Sequence, residues 1–144
     1  MKVTKASSGM HLSKEEIKKR LAPVFTDSTL DLVILFGSSA EGRAHKESDI
    51  DVGFLFDGPR DILDLTNRVT RTLGTDDVDV VDLRRASPLL RYAAARHGAA
   101  LYEREPGSFA RFYSLSFRMY VDTEKLRRAR DRALKRFLEK QGHE

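Results

Sequence analysis

A short apolar run in the first third of the chain limits the folds open to it more than any other feature. The segment from Leu30 to Phe36 reads LDLVILF and ends at Gly37. A nearly continuous apolar run of this length is typical of a strand covered on both faces. A second run, from Asp49 to Phe56, alternates at its start and stops at Asp57-Gly58-Pro59. We therefore expect an α/β protein in which helices cover a small sheet.

Four amphipathic segments supply the predicted helices. Ser13, followed three residues later by Glu16, forms a capping box that begins the first of them. Gly74 and Gly98 each follow a helical pattern and mark its end. The patterns predict helices at residues 14–25, 59–73, 88–97 and 108 to about 138, and further strands at 78–83 and 99–102.

The length of the chain, 144 residues, allows one domain with a real core and not two ordinary ones. Residues 1–105 are expected to form the domain proper, including its N-terminal helix. Residues 106–144 are expected to form a C-terminal helical extension of the same domain.

Composition excludes several classes of protein. The chain has no cysteine, so disulfides, thiolate metal sites and cysteine nucleophiles are excluded. Its N-terminal residues lack an apolar run, so we expect no signal peptide, no membrane anchor and a cytoplasmic location. A formal net charge of +4 favours anionic partners such as nucleotides or nucleic acid, but it does not decide the fold.

The connection between the first two predicted strands carries the candidate chemistry. Gly37-Ser38 is followed by ten residues and then by Asp49-Ile50-Asp51. Residues i and i+2 of a strand lie on one face, about 6.6 Å apart, so both carboxylates project together. Carboxylate oxygens are the ligands that Mg²⁺ takes in proteins, together with phosphates and waters. The spacing therefore predicts Asp49 and Asp51 as metal ligands.

The residues around the two aspartates suit a nucleoside triphosphate. Gly37 allows phosphates to approach the backbone, and the following amides and the Ser38 hydroxyl can point at them. Arg43 belongs to a basic stretch suited to phosphate, and Ser48 is placed to hydrogen-bond Asp49. We predict four nucleotide-binding residues: Gly37, Ser38, Arg43 and Ser48. Gly-Ser alone is common in turns, and paired aspartates also occur at solvated strand edges, so the spacing between them carries the prediction.

A third carboxylate is available on the strand predicted at 78–83. Asp79 and Asp82 are both candidates. Alternation sends them to opposite faces of the strand, so only one of them can join Asp49 and Asp51. The residues alone leave both open.

At these residues the chain resembles the nucleotidyltransferases of the DNA polymerase β superfamily, whose signature is Gly-Ser, a spacer and Asp-x-Asp. The resemblance implies a polymerase β-like fold, with a small mixed sheet flanked by helices. It also implies two Mg²⁺ ions and a third acidic residue, on a later strand, in an apolar-Asp-apolar setting. That setting favours Asp79, which the resemblance makes a catalytic residue with Asp49 and Asp51.

The stretch VDVVDLRRASPLLRYAAARHGAALYER narrows the likeness to minimal nucleotidyltransferases, and within them to the MntA antitoxins of HEPN/MNT toxin–antitoxin pairs. The resemblance covers roughly residues 30–105. It implies ATP as substrate, a HEPN-domain ribonuclease toxin as partner, and transfer of AMP to a tyrosine of that toxin.

Two other functions stay open at this point. The chain would act by binding alone if it masks a toxin without modifying it. A small-molecule nucleotidyltransferase is the other alternative, although such enzymes usually bring an additional substrate domain.

Two interpretations are also open for the function of the basic residues, and two for that of the aromatic residues, in the C-terminal half of the chain. The arginine-rich helix from Lys125 to Arg136, together with Arg84, Arg85 and Arg91, is expected to steer an acidic partner, and direct contact with RNA stays open. The aromatic residues Phe109, Phe112, Tyr113 and Phe117 are expected to pack against other apolar groups rather than to stack on bases.

Overall fold

A computed structural model describes residues 12–37 and 50–142. Its strands are β1 Leu30–Phe36, β2 Ile50–Phe56, β3 Val78–Asp82 and β4 Ala99–Glu103. They form one sheet in the order β3-β2-β1-β4. Strand β1 is antiparallel to both β2 and β4, whereas β2 and β3 are parallel. The predicted α/β fold with a small mixed sheet is confirmed.

The helices are α1 Lys14–Leu21, α2 Ile62–Leu73, α3 Pro88–His97 and α4 Ser108–Gly142. The helix predicted to reach residue 25 is α-helical only to Leu21 and continues as a 3-10 helix, Ala22–Thr26. Pro23 explains the change, because it has no N–H for an α-helical bond and its ring disfavours the preceding turn. Among the residues described, no helix is both long and apolar enough to cross a membrane.

Helix α2 begins at Ile62, three residues later than predicted from Pro59. The Asp61 side chain accepts hydrogen bonds from the backbone N–H groups of Leu63 and Asp64, at 3.1 and 3.2 Å. These bonds satisfy two of the free amides of the first turn, so the cap sets the start of the helix.

Both faces of the sheet are covered, as the apolar β1 run predicts. Helices α1 and α2 pack on one face through a core that includes Ile17, Leu21, Val52, Phe54 and Val69. Helices α3 and α4 pack on the other face through a second core that includes Leu32, Ile34, Ala94 and Phe112. The odd-numbered residues of β2 point to this second face, so Asp51 lies on the α3–α4 side of the sheet.

Arg91 joins α3 to the end of β3 and to α4. Its Nη1 donates a 2.6 Å hydrogen bond to the carbonyl of Leu83, and its guanidinium stacks over the ring of Phe112. The side chain is only 8% exposed, and burial lowers its pKa. Arg91 is therefore a packing residue, and the contribution of its charge to steering a partner stays a prediction.

Candidate active site

Two aspartates lie side by side near the first residues of the neighbouring strands β2 and β3. In the parallel pairing of β2 and β3, Asp51 is the register partner of Asp79. Register partners on adjacent strands point to the same face, about 4.8 Å apart along the hydrogen-bonding direction. Their carboxylates therefore lie on one surface, where Asp51 is half-buried and Asp79 is exposed.

Hydrogen bonds beyond both ends of β3 hold this register. The backbone N–H of Ile50 donates to the carbonyl of Asp77 at 2.9 Å, just before the two aspartates. The backbone N–H of Leu83 donates to the carbonyl of Phe54 at 3.0 Å, just after β3. A one-residue slip would break both bonds and send Asp79 to the opposite face, so the register and the site are set together.

The alternative third carboxylate, Asp82, lies at the other end of β3. It pairs in register with Phe54, which points into the core beneath α1 and α2. Its Oδ1 accepts a 3.1 Å hydrogen bond from the backbone N–H of Arg84. This bond stabilises the turn after the strand, which is an ordinary structural use of aspartate.

Gly37 adjoins the carboxylate of Asp51. Phe36, the last residue of β1, is the register partner of Asp51, and Gly37 follows it with φ +82°. A Cβ atom at position 37 would overlap the Asp51 carboxylate. The left-handed backbone therefore favours glycine, and any other residue would also force the Asp51 carboxylate to turn away.

Four of the predicted site residues lie outside the described ranges: Ser38, Arg43, Ser48 and Asp49. Of the predicted set, the structure brings together Gly37, Asp51 and Asp79. Within residues 12–37 and 50–142, no cluster of three or more His, Cys, Asp or Glu side chains is arranged to hold a metal. The two carboxylates that are placed fit a hard cation, since Mg²⁺ is usually bound by one or two protein carboxylates.

A groove on the same face of the sheet is separate from these carboxylates. It has a volume of about 430 Å³, and its walls include Leu55, Arg91, Arg104, Arg111 and Leu115. Leu55 lies four residues beyond Asp51 on β2, which is about 13 Å along the strand. We place the candidate active site at Asp51 and Asp79 because they are register partners beside Gly37, whereas each carboxylate of the groove lies against an arginine. Its Asp31 is bound by Arg104, and its Glu105 lies 3.6 Å from Arg111.

Comparison with known proteins points to the same part of the chain. The family model for polymerase beta nucleotidyltransferases matches residues 15–107. Among curated proteins, the protein adenylyltransferase MntA of Aphanizomenon flos-aquae is 27% identical over 125 residues, which are 78% of this chain and 83% of that protein. Protein adenylyltransferase MntA of Shewanella oneidensis is 37% identical over 76 residues, which are 51% of this chain and 54% of that protein.

A solved structure also matches most of the fold. The chain aligns with one chain of a crystal structure of a toxin–antitoxin with AMP-PNP, with a TM-score of 0.71 and 29% sequence identity. The alignment covers 86% of this chain and 99% of the other. The likeness therefore extends beyond the residues that the family model matches.

Proposed function

The chain belongs to the polymerase beta nucleotidyltransferase family, and from this we propose that it transfers AMP from ATP to a hydroxyl group of a protein. We propose further that the acceptor is a tyrosine of a HEPN-domain ribonuclease toxin, for which the chain is the antitoxin. The alignment of Asp51 with Asp79, beside Gly37, is the observation that carries the proposal.

The proposed reaction is an in-line displacement at the α-phosphorus of ATP. The acceptor oxygen forms a new bond to this phosphorus, the bond to the bridging oxygen of the β-phosphate breaks, and pyrophosphate leaves. The hydroxyl proton passes to Asp79, whose exposed carboxylate is open to an incoming acceptor. Asp79 is thus proposed as the general base.

Asp49, Asp51 and Asp79 are proposed to hold two Mg²⁺ ions. Bound Mg²⁺ would supply positive charge to the attacking and leaving oxygens and so lower the barrier to transfer. Gly37 and Ser38 are proposed to hold the β- and γ-phosphates, Arg43 to contact a phosphate oxygen, and Ser48 to orient Asp49.

The relatives, rather than a pocket for the nucleotide base, support ATP as the proposed substrate and a protein as the proposed acceptor. Both curated relatives are named protein adenylyltransferase, and the aligned solved structure contains AMP-PNP, an ATP analogue. Because those relatives are named as protein adenylyltransferases, we propose a protein as the acceptor.

The test combines the purified protein, ATP, Mg²⁺ and the product of the adjacent gene, and measures the intact mass and ribonuclease activity of that product. We expect a gain of one or more adenylyl groups on a tyrosine and a loss of ribonuclease activity. The double variant Asp49→Asn, Asp51→Asn should produce neither change.

A matched control removes two exposed carboxylates of the helices on the other face of the sheet, Glu15→Gln with Asp64→Asn, and should transfer AMP as the unaltered protein does. Full inhibition without any mass change, equally strong with the Asp49→Asn, Asp51→Asn variant, would establish the binding-only function instead. Transfer of AMP to a small hydroxyl compound but not to the protein would establish the small-molecule alternative.

A further inference from the structure

The last turns of α4 have no packing partner among the residues that the structure describes. Every residue from Arg128 to Gly142 is exposed. At 1.5 Å per residue, this segment projects by about 22 Å. We call these residues, together with the exposed Leu126 and the half-buried Arg127 that precede them, the free segment of α4, residues 126–142.

The free segment has a distinct apolar face. Leu126, Ala133 and Phe137 recur at spacings of seven and four residues, so they lie within about 20° of one line along the helix at 100° per residue. Leu134 and Leu138 lie one turn apart beside that line. The four large side chains of this face are each more than half exposed: Leu126 63%, Leu134 57%, Phe137 56% and Leu138 57%.

An apolar face of this kind needs a partner for physical reasons. Contiguous exposed apolar surface on a small protein generally marks an interaction site. The face is therefore a candidate for docking rather than a solvated surface.

The charges beside this face select the kind of partner. Between residues 128 and 142 there are six basic side chains and two acidic ones: Arg128, Arg130, Arg132, Lys135, Arg136 and Lys140, against Asp131 and Glu139. A second copy of the chain would place two such positive segments together, which opposes pairing. A nucleic acid would match the charge but would leave Leu134, Phe137 and Leu138 against phosphates. An apolar protein groove with acidic borders satisfies both features.

The same line continues onto the body of the protein. Leu115 lies eleven residues before Leu126, close to three full turns, and it is 43% exposed in the wall of the groove described above. Arg104 and Arg111 also line this groove. The apolar line with basic neighbours thus begins on the folded domain and runs into the free segment.

We propose that this face of α4, from Leu115 to Leu138, is the docking surface for the acceptor protein, and that it binds an apolar groove bordered by Asp and Glu side chains. The inference rests on the proposed function, because the docked protein is the one that receives AMP. Docking on α4 supplies affinity without using the carboxylates at the sheet edge, which stay available for transfer.

The test measures by calorimetry the affinity of this protein for the product of the adjacent gene, with transfer of AMP measured in parallel. Leu134→Ser with Leu138→Ser removes the apolar pair and should weaken binding by about tenfold or more. Glu15→Ser with Lys19→Ser changes an equally spaced exposed pair on α1, on the other face of the sheet, leaves the net charge unchanged, and should bind within about twofold of the unaltered protein. Circular dichroism should show the same folded domain in both variants, since all four side chains are exposed.

The outcomes separate this inference from the proposed function. Loss of affinity in the Leu134→Ser, Leu138→Ser variant alone supports docking on α4, even if no AMP is transferred. Unchanged affinity in that variant overturns docking on α4, even if AMP is transferred normally. A dimer of the isolated chain that dissociates when Leu134 and Leu138 are replaced would overturn it too, because a second copy would then be the partner.

Discussion

At the scale of single residues, the candidate site depends on one close approach and one register. Gly37 lies where a Cβ would overlap the Asp51 carboxylate, and Asp51 pairs in register with Asp79. The close approach depends on Gly37, which follows β1, whereas the register depends on the pairing of β3 with β2. The two constraints are therefore independent. A single substitution can therefore test each of them.

Asp79 and Asp82 provide the first test. Asp79→Ala should lower the rate of AMP transfer by about 100-fold or more, because a general base acts mainly in the transition state. Its effect on nucleotide affinity should be small by comparison. Single-turnover rates and calorimetric nucleotide binding measure the two effects separately.

Asp82→Ala is the matched control on the same strand. It should transfer AMP at a near-normal rate and lose about 1 kcal/mol of stability, because it removes the hydrogen bond to the backbone of Arg84. If Asp82→Ala abolished transfer while Asp79→Ala did not, the third carboxylate would be Asp82.

Gly37 provides a second test at this scale. Gly37→Ala should abolish transfer and cost about 1–3 kcal/mol of stability, because it forces alanine into a left-handed backbone against the Asp51 carboxylate. Gly58→Ala is the control, since a Cβ there meets no atom within 4 Å. Urea unfolding and transfer assays of both variants check the prediction, and normal transfer by Gly37→Ala would contradict it.

Sequence reasoning predicts part of this site for a clear reason. Alternation along β2 is enough to separate Asp51 from Ile50 and Val52. It cannot choose between Asp79 and Asp82, because that choice depends on how β3 pairs with β2. The backbone bonds of Ile50 and Leu83 set that pairing, and they have no side-chain signature.

At the scale of elements, the α3–β4 junction is a closely packed point of the second core. A Cβ on Gly98 would meet the carbonyl oxygens of Ala94 and Leu35 and the side chain of Ile34. Two of these neighbours are backbone atoms that cannot turn away. The helix can therefore pass this close to β1 only with glycine at its end.

Gly98→Ala should lower the free energy of unfolding by about 1–3 kcal/mol, as overpacking of a core does. Gly142→Ala, where a Cβ meets nothing within 4 Å, should cause no loss. Thermal unfolding of the two variants compares them directly. Equal stability would mean that α3 can shift away from β1 without cost.

The helices also show where sequence patterns stop being informative. Capping residues place the start of α1 at Lys14 and of α3 at Pro88, as predicted. The start of α2 was predicted too early, because Asp61 rather than Pro59 caps that helix. The sequence does not predict the packing role of Arg91, because nothing in it indicates that this arginine is buried against the ring of Phe112.

At the scale of the whole molecule, the alternation of strands and helices predicts the fold class, but not the order β3-β2-β1-β4. That order depends on which edges pair, and the antiparallel contact of β1 with β4 brings together residues far apart in the chain. Apolar spacing likewise predicts α4 but not its free segment, because the same pattern suits a helix on a core and a helix awaiting a partner.

The most direct measurement uses ATP labelled at either the α- or the γ-phosphate, incubated with the protein, Mg²⁺ and the product of the adjacent gene. The α-label should appear covalently on that protein, while the γ-label should leave as pyrophosphate. Both results should disappear in the Asp49→Asn, Asp51→Asn variant. Transfer of the γ-label to the acceptor, or inhibition of the ribonuclease with neither label attached, would contradict adenylyl transfer by these aspartates.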